Sequence, residues 1–174
     1  ALATELLDRN ARLTVATTTP TPVRELFSST VELIELTSRA DPDPFIKWLD
    51  TAKPDIVVTD AYPIDTDYQQ AVRDRVPLVV LQDDARHAVC ADVFTNGNLY
   101  GPELNYEFVD QPPKQWLGAD YVLLRPEIQA RAAGEPPWQG SPERAIIMMG
   151  GSDLAELTPT VVSAFDGFDI TVDA

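Results

Sequence analysis

The sequence predicts an α/β fold in which a parallel β-sheet carries helices on both faces. Apolar runs of strand length alternate with segments that have helical spacing or helix start signals. Residues 56–58 and 78–81 are apolar throughout, which is typical of central strands buried on both faces. With 44% hydrophobic residues in 174, the chain is long enough to bury a sizeable core.

The elements are expected in a regular order along the chain. The sequence opens on an amphipathic helical pattern over residues 1–7. Asp43 is the predicted N-cap of a later helix that has Pro44 at its first position. Strands are predicted over residues 13–17, 31–36, 56–59, 78–81 and 93–95, and helices over residues 22–27, 44–50, 66–74 and 126–133.

A stretch rich in glycine and proline, residues 134–142, predicts a domain boundary. After it the pattern restarts with a strand over 145–149, a glycine loop and a helix that runs through Phe165. We therefore expect a Rossmann-like domain over residues 1–133, a linker over 134–143 and the beginning of a second domain over 144–174. No capping residue precedes the opening helix, so we expect the first domain to lack its first strand here.

The charge balance excludes several classes of partner. The chain has 28 acidic and 13 basic residues and a net charge of −15, whereas nucleic-acid binding needs a basic surface. The acidic residues are scattered, which is typical of the solvated surface of a halophilic protein. No apolar run is long enough to span a membrane and no signal peptide opens the chain, so a cytoplasmic location is expected.

Neither a metal site nor a cofactor is predicted. The single cysteine, Cys90, rules out an internal disulfide and a thiolate cluster, and it is expected to be a small buried residue. His87 is the single histidine, so any Ser-His-Asp triad would have to use it. It stands beside Arg86 in a polar loop, so it is expected to be exposed and not catalytic.

Polar residues follow three of the predicted strands, at the end of the sheet where open α/β folds bind ligands. They are Asp60 and Tyr62, then Asp83 and Asp84, and finally Asn96 and Asn98. Asp60 can instead cap the following turn, and the asparagines can simply adopt turn conformations. Of the two adjacent aspartates, one is expected to meet substrate while the other holds the loop.

The loop Gly150-Gly151-Ser152-Asp153 lies between a predicted strand and a predicted helix. Glycines let the backbone approach a phosphate, and a helix N-terminus presents free N–H groups. The alternative is that Ser152 or Asp153 only caps the helix. The loop makes a nucleotide-binding second domain the expectation.

Together these segments resemble a known family. Asp60-Ala61-Tyr62, Asp83-Asp84, the turn at 96–98, residues 121–127 and residues 149–153 stand in its order. The chain resembles the nucleotide-sugar hydrolases of the pseudaminic-acid pathway and the related spore-coat-polysaccharide-biosynthesis-type proteins. Those proteins are similar in fold to the two-domain glycosyltransferase-B enzymes. The resemblance covers roughly residues 56–165.

The resemblance implies a cleft between two Rossmann-like domains, with UDP held mainly by the second domain and the sugar facing the first. Water attacks the anomeric carbon in the family, and the glycine loop stabilises the departing diphosphate. Tyr62 matches the family tyrosine and, with Asp60, becomes a catalytic candidate. Asp83, Asp84, Asn96 and Asn98 become substrate-binding candidates, and a UDP-sugar is the expected small-molecule partner.

Two departures from the family pattern keep other functions open. The family's Gly-x-Gly-His segment, which carries the proposed base, does not occur in this sequence, and Ala61 replaces the histidine of its Asp-His-Tyr motif. The leading hypothesis is a UDP-sugar hydrolase or glycosyltransferase. A non-catalytic nucleotide-sugar binding module is the second hypothesis, and an unrelated flavodoxin-like or response-regulator-type domain is the third.

Overall fold

The computed structural model describes residues 1–27, 30–132, 140–149, 153 and 155–174. The chain divides into two compact units, Ala1–Ala130 and Arg131–Ala174. All paired strands run parallel and helices alternate with many of them, so the α/β class with parallel sheets is confirmed. No helix within the described ranges is long and apolar enough to cross a membrane.

The first unit contains most of the regular structure. Its strands are β1 (Thr14–Thr17), β2 (Glu32–Glu35), β3 (Val57–Thr59), β4 (Leu78–Leu81), β5 (Val93–Asn96) and β6 (Lys114–Leu117). The helices are α1 (Leu2–Asp8), α2 (Pro20–Phe27), α3 (Asp43–Ala52), α4 (Thr66–Arg73) and α5 (Pro126–Ala132), which runs past the end of the unit. Short 3₁₀ helices cover Gly101–Glu103 and Ala119–Tyr121.

The strands of the first unit form two parallel sheets, although the sequence predicted one. β1 pairs with β2, and β3, β4, β5 and β6 pair in that order. No backbone hydrogen bond among the described residues joins β1 to β3. The prediction that β3 is central and buried on both faces is wrong: β3 is an edge strand, with Val57 6% exposed and Val58 38% exposed.

The core of the first unit lies on one face of the four-stranded sheet and beneath α3 and α4. Phe94 of β5 is its largest fully buried side chain. Its ring packs edge-on against Tyr106 at 4.6 Å and Phe108 at 6.0 Å between centroids. Cys90 is buried as predicted. These contacts fix the end of β5, where several of the predicted site residues follow.

Helix α4 is held at its start by a side-chain cap. The carboxylate of Asp65 accepts a hydrogen bond of 3.0 Å from the backbone N–H of Tyr68, which satisfies a donor that the helix leaves free. In α3, by contrast, the predicted N-cap Asp43 is the first helical residue, and Pro42 takes the cap position.

Tyr68 gives a testable pH dependence. Burial raises the pKa of this tyrosine to about 12, so the neutral phenol stabilises the fold below the ordinary pKa of about 10. That stabilisation should be lost as the pH rises through about 12. In an absorbance titration of tyrosinate, Tyr68→Phe should remove the ionisation near pH 12, and the control Tyr121→Phe should leave it. A Tyr68 that ionises at its ordinary value would contradict the burial argument.

The second unit is smaller. Its strands β7 (Arg144–Ile146) and β8 (Thr171–Asp173) pair in parallel, and α6 (Thr158–Ser163) lies between them in sequence. An ion pair joins Arg144 to Asp173 across the two strands. The helix that the sequence predicted through Phe165 is shorter than expected: it begins at Thr158 and ends at Ser163. Of the predicted linker, residues 134–139 lie outside the described residues.

The acidic composition predicts that stability depends on salt. Like charges at a net charge of −15 repel one another. Their repulsion is screened within about 10 Å at 0.1 M salt and about 3 Å at 1 M. We expect the melting temperature to rise as potassium chloride increases over this range, while an uncharged osmolyte at the same osmolality gives a smaller rise. A melting temperature indifferent to potassium chloride would show that the acidic residues do not oppose folding.

Candidate functional site

A cleft of about 450 Å³ lies in the first unit, at the carboxyl ends of its parallel strands. Its walls come from the segments that follow β2, β3, β4 and β6 and from the end of β5. They are Arg39, residues 60–63, residues 81–84 with Arg86 and His87, residues 95–98, and residues 121–123. Ligands of open α/β sheets bind at this edge. The structure brings all six predicted residues of the first domain to this one cleft.

Tyr62 and Asp83 form the best-defined polar contact in the cleft. The phenol donates a hydrogen bond of 2.8 Å to Oδ2 of Asp83, and this bond, followed by the negative charge of Asp83, raises the pKa of Tyr62. The guanidinium of Arg86 lies 5.0 Å from the ring centroid of Tyr62, a cation–π distance. With 63% of its surface exposed, Tyr62 remains accessible to a ligand.

The two adjacent aspartates make different contacts, and the prediction that one of them holds the loop applies to Asp84. Asp84 accepts hydrogen bonds from the backbone and side chain of Arg86 and from Nε2 of Gln82. Its carboxylate therefore holds the loop after β4. Asp83 accepts the hydrogen bond of Tyr62 at Oδ2, and its Oδ1 has no hydrogen-bond partner among the described residues.

Asp60 is an exposed carboxylate at the end of β3. Within the described ranges its side chain makes no hydrogen bond or ion pair. The helix that follows the turn after Asp60 is capped by Asp65 and not by Asp60. A carboxylate at a cleft wall can accept a hydrogen bond from a ligand hydroxyl or take a proton from it. The capping alternative for Asp60 does not hold here.

Asn96 supports the loop and does not offer its amide to the cleft. It is 2% exposed, donates from Nδ2 to the Tyr106 hydroxyl at 2.8 Å, and accepts at Oδ1 from Asn98. Every polar atom of its side chain is thus engaged. Asn98 is exposed and keeps its own Oδ1 without a partner among the described residues, so it is the asparagine that a ligand can reach.

Close contacts with the backbone explain why two positions near these asparagines are glycine. A Cβ at Gly97 would lie 2.7 Å from Cα of Val122, and a Cβ at Gly101 would lie 2.8 Å from the carbonyl oxygen of Asn96. Both distances are shorter than side chains tolerate without a shift of the neighbour. The absence of a side chain at Gly97 therefore lets the wall formed by residues 121–123 pack directly on the end of β5, and its absence at Gly101 lets the 3₁₀ turn pack against Asn96.

His87 is half-buried on the cleft wall, so the expectation of an exposed histidine is wrong. Its Nε2 lies 3.4 Å from Nε2 of Gln69, a residue only 1% exposed. Gln69 also accepts a hydrogen bond from the backbone N–H of Cys90 at 2.8 Å. Gln69 of α4 therefore holds His87 and Cys90 close to the helix. No local sequence signal predicts such a contact.

Arg39 is a cleft residue that sequence reasoning missed. It lies after β2, and its Nε donates a hydrogen bond of 2.9 Å to Oγ1 of Thr18, just after β1. The rule that strand ends carry site residues applies equally to β2. The resemblance, however, began only at residue 56, and nothing local distinguished Arg39 from a surface arginine.

The predicted phosphate loop can be described only at its last residue. Gly150, Gly151 and Ser152 lie outside the described residues. The carboxylate of Asp153 accepts hydrogen bonds from the backbone N–H groups of Leu157 at 2.9 Å and Thr158 at 2.7 Å. Hydrogen bonding to Thr158 and Leu157 lowers the pKa of Asp153. Asp153 therefore binds the free N–H groups at the start of α6.

The chain matches no protein-family model, and no curated protein is similar to it. Within the described part of the chain, no group of three or more His, Cys, Asp or Glu side chains could hold a metal ion.

Proposed function

We propose that this protein processes nucleotide-activated sugars, hydrolysing or transferring the sugar of a UDP-activated sugar or amino sugar in surface-polysaccharide or glycan biosynthesis. The observation that carries the proposal is the grouping of Asp60, Tyr62, Asp83 and Asn98 along one cleft. These residues come from three successive strand ends, where α/β sheets bind nucleotides and sugars. The proposal includes the glycosyltransferase-B-like fold that the sequence resemblance implies.

The chemistry of the cleft suits a sugar. Carboxylate and amide oxygens accept hydrogen bonds from hydroxyls, and aromatic rings contact apolar sugar faces. Asp60 has the open carboxylate needed to activate an attacking hydroxyl or water, and Tyr62 of the same cleft donates its phenol hydrogen to Asp83. A volume of about 450 Å³ is within the range of small-molecule sites.

The diphosphate is proposed to bind the loop at Gly150-Gly151-Ser152-Asp153. A strand, a glycine pair and a helix start are the elements that present backbone N–H groups to phosphate. Asp153 would repel a diphosphate if its carboxylate faced the ligand. Its hydrogen bonds to the N–H groups of Leu157 and Thr158 direct it to the start of α6 instead. Because these two N–H groups are occupied by Asp153, the proposal assigns the diphosphate to the backbone N–H groups of the glycine pair.

A calorimetric titration of UDP into the whole protein tests the nucleotide assignment. Gly151→Asp adds a side chain where the protein backbone must come close to the diphosphate, and its carboxylate repels the phosphate charge. We therefore expect UDP affinity to fall at least tenfold, as loss of one charge-assisted contact predicts. Ser141→Asp adds the same charge at an exposed position outside the loop and should leave the affinity within twofold. Equal UDP affinity in wild type and Gly151→Asp would contradict the phosphate-loop assignment.

A binding module without catalysis is the second candidate, and Ala61 is the observation that favours it. The residue lines the cleft but has no polar group to contribute. Incubating the whole protein with a UDP-sugar separates the two functions: release of UDP at a rate above the uncatalysed one identifies an enzyme. Tight binding with no release, with or without sugar acceptors, identifies a binding module.

A further inference from the structure

We infer that Arg39 is an oxyanion-binding residue of the cleft, and that the ligand is a sugar carrying a phosphate group which Arg39 contacts directly. This inference deepens the proposed function and rests on it for the nucleotide part of the ligand. It assigns a phosphate contact to the first unit.

The guanidinium of Arg39 is oriented by the protein yet not neutralised by it. Nε donates to Oγ1 of Thr18 at 2.9 Å, and no carboxylate among the described residues forms an ion pair with Arg39. The two terminal nitrogens therefore keep their N–H groups for another acceptor. The planar guanidinium fork matches two oxygens of a phosphate, which an ammonium group cannot do in the same way.

Arg86, the other arginine of the cleft, is a useful contrast. Its Nε forms an ion pair with Asp84, and its guanidinium lies over the ring of Tyr62. Its charge is already satisfied within the loop after β4. Of the cleft cations in the described residues, Arg39 alone remains available to an anionic ligand.

The charges of the cleft also favour one orientation of the ligand within it. Asp60 and Asp83 line the cleft from the ends of β3 and β4 and repel a phosphate, whereas the charge of Asp84 is paired with Arg86. A phosphate in this cleft is consequently favoured at Arg39, beside the ends of β1 and β2. Sugar hydroxyls then face Asp60 and Asp83, which accept hydrogen bonds from them.

The test uses three probes with the whole protein: UDP-N-acetylglucosamine, N-acetylglucosamine 1-phosphate and free N-acetylglucosamine. Arg39→Gln should weaken binding of both phosphorylated probes about tenfold to a hundredfold, as loss of a charge-assisted contact predicts. Binding of the free sugar should not change. Arg24→Gln removes the same charge from α2, outside the cleft walls, and should alter no affinity more than twofold.

The outcomes separate this inference from the proposed function. If UDP-N-acetylglucosamine binds wild type and Arg39→Gln equally, the inference is overturned and the proposed function stands. If only the sugar phosphate binds, and it depends on Arg39, the inference stands and the nucleotide assignment falls. If no probe binds wild type, both are overturned. Arg39→Lys keeps the positive charge but lacks the planar guanidinium, so it should give an intermediate affinity. A graded loss from arginine to lysine to glutamine indicates a lost contact and not a folding defect in Arg39→Gln.

Discussion

Phe94→Ala is expected to lower the free energy of unfolding by about 3–5 kcal/mol, the usual result of removing a buried aromatic ring. The Phe94 side chain is 0% exposed and packs against Tyr106 and Phe108. Its removal leaves a cavity under β5, the second strand from the sheet edge at β6. The loss exceeds what any single exposed contact in the molecule contributes, because exposed ion pairs contribute about 0–1 kcal/mol.

Urea denaturation followed by circular dichroism measures this effect, and Leu99→Ala is the matched control. Leu99 is 82% exposed and lies three residues beyond the end of β5, so its truncation should change stability by less than about 0.5 kcal/mol. A Phe94→Ala variant as stable as Leu99→Ala would mean that the ring does not belong to a packed core. Tyr106, which contacts both Phe94 and Asn96, links this core to the cleft loop.

The sequence predicted the strands well where apolar runs marked them and poorly where they did not. The predicted strand at 78–81 matches β4, and β1, β2, β3 and β5 differ by one or two residues at their ends. β6 was missed because Lys114 and Gln115 interrupt any apolar pattern, and the strand is paired on one side only. Side-chain patterns also do not specify which edges pair, so the division into two sheets could not be predicted.

The candidate site divides in the same way. Asp60, Tyr62, Asp83 and Asn98 could be predicted because each closely follows a parallel strand, and parallel strands end at one edge. The buried role of Asn96 depends on Tyr106, and the position of His87 depends on Gln69 of α4. Such contacts join segments distant in sequence, which periodicity and turn signals do not encode.

If the proposed enzyme activity is correct, Asp60→Asn should reduce kcat for UDP release about a hundredfold to ten-thousandfold, the usual contribution of a general acid or base. Asparagine keeps the size and the hydrogen-bonding oxygen of aspartate but cannot take a proton. Substrate binding should therefore change little, and KM should stay within a few fold. This split between kcat and KM distinguishes proton transfer from mere sugar binding.

The matched control is Asp55→Asn, which removes an exposed carboxylate from the opposite, amino end of the same strand. Both substitutions change the net charge equally, so a general electrostatic effect would reduce both rates alike. A loss in KM alone for Asp60→Asn would make Asp60 a sugar contact, and Tyr62 with its bond to Asp83 would become the stronger candidate for proton transfer. Unchanged kcat and KM in Asp60→Asn would contradict any role for this cleft carboxylate in binding or proton transfer.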